Sequence, residues 1–115
     1  MRDAIHSDVA GATHADIAAS IVASGNQDVI AAPSGSDRIY IHGLTLLSDS
    51  TGVMQLRSGT TPITGVLSWL IGVEMRLRFS RVPYFRLGAA EPFNILNGPT
   101  ATRKLQGFVI YSVHP

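Results

Sequence analysis

Four histidines, eight acids and a knot of arginines are the side chains of this 115-residue chain that could do chemistry. A metal site needs ligands that converge. His6 and His14 lie in a small, polar N-terminal stretch and His114 is next to last, so a shared site would have to be built between subunits. His42 sits inside a strand pattern and is expected as a surface or axis-lining side chain. Asp8 with Asp16, or Asp37 with Asp49, could be imagined as the carboxylate pair of a glycosidase. No spacing fixes either pair on one face, and Asp37 and Asp49 fall where aspartate forms turns. Serines are plentiful, but no G-x-S-x-G elbow presents one as a nucleophile. The chain has no cysteine, which removes thiolate catalysis, disulfides and Cys-ligated metals together. The remaining constellation is basic and aromatic: Arg76, Arg78, Arg81 and Arg86 with Tyr84 and Phe85 among them. Such a set binds nucleic acid or glycan on a stacking face, or serves as an outward strand face meeting an acidic partner or another subunit. The second reading is preferred, because a net charge of +1 draws the chain to no polyanion. Trp69 is a core residue or an anchor on a partner. Arg103 and Lys104 are expected to be solvated or between subunits. No enzymatic activity and no cofactor is expected.

The elements that would position these residues are strands. Ile39 and Ile41 alternate with Arg38, Tyr40 and His42, the period of two of a half-buried strand. After Gly43 the apolar positions become Leu44 and Leu46, and a glycine at such a phase slip marks a β-bulge. The polar run 48–52 (SDSTG) is a turn, and Val53, Met54 and Leu56 open a second strand, paired with the first. Val66–Ile71 is apolar on both faces. Val73, Met75, Leu77 and Phe79 then alternate with Glu74, Arg76, Arg78 and Ser80, one face for the core and one for solvent or a neighbour. Short strands follow over 82–87 and 93–96, and 105–113 is a closing strand of the kind buried mid-sheet. Residues 14–24 read either as a helix, with Ile17 and Ile21 at i, i+4, or as an edge strand. Turn residues 25–28 leading straight into Val29-Ile30 favour the strand, in a hairpin.

Eight or nine short strands between Gly, Pro and Ser loops predict an all-β antiparallel β-sandwich of jelly-roll type, with an N-terminal extended arm. The chain divides into 1–24, an arm or first edge segment, and 25–115, the β domain. Charged residues are 15% of the chain against roughly 25% in an average soluble domain. So sparse a coat implies that copies of the chain cover part of one another. No apolar run approaches the ~20 residues of a membrane-spanning helix, so a chain made in the cytoplasm without membrane insertion is expected.

The order of segments resembles a known family. Gly25-Asn26-x-x-Val29-Ile30-Ala31-Ala32 is followed by Ser34-Gly35-x-x-Arg38-Ile39-x-Ile41-x-x-Leu44-x-Leu46. Then come Leu56-x-Ser58-Gly59-x-x-x-Ile63-Thr64-Gly65 and a closing Gly107-x-Val109-x-Tyr111. This is similar to the small jelly-roll virion proteins of tailed bacteriophages, which serve as trimeric capsid decoration (cement) proteins or as fibre tips. One departure is Trp69-Leu70-Ile71-Gly72-Val73, where the family's loop is usually glycine-rich. The resemblance implies a homotrimer on the virion surface that binds the major capsid protein and stabilises the head, touching neither membrane nor nucleic acid directly. It further implies contacts through Arg76, Arg78, Arg81, Tyr84, Arg86 and Trp69, and through Ile5 and Val9 of the arm. The alternative it carries is a tail-fibre tip that binds a receptor or a host surface glycan.

Overall fold

A computed structural model of the chain describes residues 12–99 and 101–115. These residues form ten strands and no helix, in two antiparallel sheets packed face to face as a β-sandwich. In the first sheet β1 (Thr13–Ile21) pairs with β10 (Arg103–His114), β10 with β3 (Arg38–Ser48), and β3 with both β7 (Glu74–Leu77) and β8 (Phe85–Arg86). In the second, β2 (Asn26–Ile30) pairs with β9 (Phe93–Asn97), β9 with β4 (Gly52–Ser58), and β4 with both β5 (Thr61–Pro62) and β6 (Leu67–Trp69).

Residues 14–24 take the strand alternative, not the helix. Ala15, Ile17, Ala19 and Ile21 point inward while His14, Asp16, Ala18 and Ser20 face out, so β1 is an edge strand of the sandwich itself. The expected hairpins do not form. β1 and β2 lie in different sheets, as do β3 and β4, and residues 26–28 belong to β2 rather than to a turn. The reason is packing: crossing over sets Ile39, Ile41, Leu44 and Leu46 of β3 face to face with Met54 and Leu56 of β4 in one core. Side-by-side pairing would have left both apolar faces seeking a second layer. Each of these buried aliphatic side chains is worth roughly 1.5–3 kcal/mol relative to exposure. The segment 66–71 is also shorter than its hydropathy suggests, since only Leu67–Trp69 is strand and Val66, Leu70 and Ile71 are exposed. As the sequence predicts, β10 lies mid-sheet between β1 and β3.

The bulge falls at its expected place. Ile110 pairs with Gly43 and Tyr111 with Ile41, leaving His42 as the extra residue on β3. One inserted residue resets the pleat, so that Ile41 and Leu44 both enter the core.

Candidate interaction surface

His42 is 3% exposed, not the surface or axis-lining side chain its place in the sequence implies. The bulge turns it inward. Its Nδ1 lies 2.9 Å from the Ser80 carbonyl oxygen and its Nε2 2.9 Å from Ser112 Oγ. A carbonyl can only accept, so Nδ1 carries the proton and Nε2 accepts from the Ser112 hydroxyl. A Ser–His pair at this distance has the spacing of a nucleophile and its base. Ser112, however, is 1% exposed, so no substrate carbonyl reaches its Oγ, and the pair joins β3, β10 and the segment after β7 as a structural tie.

Arg103 departs furthest from expectation. It is neither solvated nor placed for an inter-subunit contact but 1% exposed, the largest fully buried side chain among the described residues. As the first residue of β10 it points inward where the chain crosses between sheets. Its Nε donates to Asn97 Oδ1 at 2.8 Å, and its Nη1 to Ser48 Oγ at 2.7 Å and the Ser50 carbonyl at 2.6 Å. Nη2 reaches the Val53 carbonyl at 3.4 Å. Asn97 in turn donates through Nδ2 to the carbonyls of Ile21, Val22 and Ala101. One cation and one amide thereby fasten the crossovers that follow β1, β3 and β9. Burial pushes the guanidinium below its usual value, and the Asp49 carboxylate partly offsets this. Nothing in the composition of the 97–104 stretch marks Arg103 as internal. The one usable sign was its position two residues before Leu105, on the same strand face.

The carboxylate pairs do not assemble. Asp37 and Asp49 flank the two ends of eleven-residue β3, at about 3.3 Å per residue a separation far beyond any shared substrate. Asp8, His6, Ile5 and Val9 lie outside the described residues. Among the described residues no three His, Asp or Glu side chains stand close enough to hold a metal. A hollow of about 420 Å³ opens on the outer face of the second sheet, lined by Val53, Val66, Leu96 and Pro99 with Gln55 and Ser24, and no titratable group enters it.

What the fold does bring together is the basic segment. β7 and β8 both pair with β3, so they form one interrupted edge of the first sheet, and residues 78–84 loop out between them. The loop is pinned by Ser80 N–H to the His42 carbonyl and Tyr84 N–H to the Ile41 carbonyl, both 2.8 Å, and by the Tyr84 hydroxyl donating to the Arg78 carbonyl at 2.7 Å. Arg76, Arg78, Arg81 and Arg86 are all exposed along this edge. Among the described residues only Arg76 of the four has a carboxylate within reach, Glu74 at 3.1 Å. Val82 projects 75% exposed in the loop at one end of β7, and Leu70, Ile71 and Val73 are exposed together at the other end, in the β6–β7 turn. Trp69 is not part of this surface. It is 6% exposed in the core cluster, its Nε1 donating to the Val73 carbonyl.

The likeness is one of fold alone. A solved structure described as Bacillus endospore appendages, a novel family of disulfide-linked pili, aligns with 90% of this chain and 89% of its own, with a TM-score of 0.50 and 16% identity. No protein-family model and no curated protein matches the sequence.

Proposed function

We propose that this chain is a non-enzymatic structural subunit that assembles with copies of itself on a larger particle, as a trimeric bacteriophage capsid decoration protein wound as a jelly roll. The strand order β1-β10-β3-β7 facing β2-β9-β4-β5, with the chain crossing repeatedly between sheets, supports that winding. The observation that carries the assembly reading is the edge just described. Exposed arginines sit beside Leu70, Ile71, Val73 and Val82 on a chain with only 15% charged residues. Leu70, Ile71 and Val73, exposed together in one turn, form an apolar patch of the kind that marks a contact surface. The virion surface, the major capsid protein as partner and the trimer come from the family resemblance.

The test is to mix purified protein with undecorated capsids and sediment them. Co-sedimentation at a saturable, symmetric stoichiometry is expected, and persistence of this chain in the supernatant refutes the decoration role. A companion deletion should stop at residue 11, because removing 1–24 would strip Ile17 and Ile21 from the core. The fold likeness to an appendage subunit favours a second reading, a filament subunit. With no cysteine in these 115 residues, such a filament would be held without disulfides of this chain. Filaments in negative-stain images of concentrated protein would select it. The glycan-binding tip draws less support, since Trp69 is buried and the Tyr84 hydroxyl is engaged with the backbone.

A further inference from the structure

From the charge and polarity of the two borders of the first sheet we infer that copies of this chain join head to tail, β1 of one copy adding to the β7–β8 edge of the next. The inference rests on the self-assembly reading and specifies its surface. β1 and β7–β8 are the opposite ends of the sheet, and among the described residues no strand pairs with the outer side of residues 15–21 or of β7–β8. Residues 12–30 contain Asp16 and Asp28 and neither Lys nor Arg, whereas residues 74–86 contain four arginines and the single acid Glu74. Residues 16–19 and 27–29 line one cleft, so both aspartates belong to the same border of the sandwich. Asp16 has a side chain 84% exposed, facing outward as Arg76 does on β7.

Strand direction selects the same arrangement. The sheet has four positions, β1, β10, β3 and β7–β8, and every pairing is antiparallel. With an even number of alternating strands, a second copy in the same orientation presents β1 antiparallel to β7, and the ladder continues. On the inner face, half-buried Met75 and Leu77 would meet the small Ala15 and Ala19 beside Ile17. Twofold pairing of like borders would instead set Asp16 against Asp16 or arginine against arginine, which like-charge repulsion disfavours. Repetition about an axis along the strands closes a ring such as a trimer, and without closure it gives a filament.

The experiment is sedimentation equilibrium on the whole chain with two edge reversals, Arg76→Glu with Arg78→Glu, and Asp16→Arg. Circular dichroism and Trp69 fluorescence serve as folding controls. Each variant alone should associate roughly ten-fold more weakly than the parent. At the facing positions the first variant carries acid on both borders and the second carries arginine on both, so each complements the other and not itself. Mixing them should restore association as mixed dimers and, in an open chain, longer alternating oligomers. A parent oligomer unaffected by both reversals, or variants that do not rescue each other, overturns the edge assignment and leaves self-assembly standing. A parent chain that stays monomeric at millimolar concentration sinks both.

Discussion

Replacing Arg103 by methionine should destabilise the sandwich by about 3 kcal/mol. The substitution keeps an unbranched side chain of similar length and removes four hydrogen bonds. The loss is unequal among the acceptors. The Ser50 carbonyl retains the Ser48 hydroxyl, and the Val53 carbonyl retains the Gly98 N–H. Asn97 Oδ1 keeps no other partner among the described residues, and a buried acceptor left unpaired costs about 1–3 kcal/mol. Losing the charge-assisted bonds to Ser48 and Ser50 adds about 1.5–3 kcal/mol each in the folded state. Against that, a buried cation no longer has to be desolvated, which returns several kcal/mol. The balance is a loss near 3 kcal/mol, a large part of the ~5–15 kcal/mol that holds a domain of this size. Urea titration followed by the fluorescence of Trp69, the one tryptophan and a buried one, reads it as a lower midpoint at unchanged slope. Arg103→Lys should recover little, because an ammonium is a single point and cannot fork between Asn97 on one side and Ser48 on the other. A methionine variant within about 0.5 kcal/mol of the parent would refute the claim that this guanidinium holds the crossovers together.

Three further substitutions test other parts of the frame. His42→Leu should cost about 2–3 kcal/mol, since it strands the Ser112 hydroxyl and the Ser80 carbonyl, and His42→Gln should recover part of it; chemical denaturation of both variants measures this. Gly107→Ala should cost about 3 kcal/mol or prevent folding, because φ is +147° there and a Cβ would run into the Thr45 carbonyl of β3; soluble yield and thermal midpoint report it. Asn94 accepts from Arg57 through Oδ1 and donates to Asn26 and Asp28, so Asn94→Ala should loosen β2 first; hydrogen exchange should quicken at 26–30 while β10 stays protected.

Strand identity was largely legible because period-two alternation is a local signal. Ile39 to Leu46 with the slip at Gly43 announced both β3 and its bulge, and Met75, Arg76 and Leu77 announced a strand with an arginine face. Which sheet each strand joins is not local. The same 48–52 turn serves a hairpin or a crossover, and the choice is made by the core that β3 and β4 close between them. Hydropathy likewise misjudged 66–71, because an apolar run says nothing of whether a layer lies above it, and at Val66, Leu70 and Ile71 none does. Arg103 and His42 were missed for one reason. A charged or polar residue at a strand end or bulge reads as exposed unless the groups that meet it are known, and here, Asn97 apart, they come from segments 38 to 70 residues away.

Those two buried polar residues sit where the chain does something other than pair strands. His42 occupies the one register shift between β3 and β10, and Arg103 the end at which three crossovers meet. At both places backbone carbonyls turn inward without a ladder partner, and such groups must be met by a donor long enough to reach them. An aliphatic core could pack around the strands but could not answer the Ser50 and Ser80 carbonyls. The arginines at 76, 78, 81 and 86 have no such duty, since their edge is held by the backbone and by the Tyr84 hydroxyl. Substituting them should therefore leave folding intact and change only what the edge binds, which separates the contact surface from the frame that presents it.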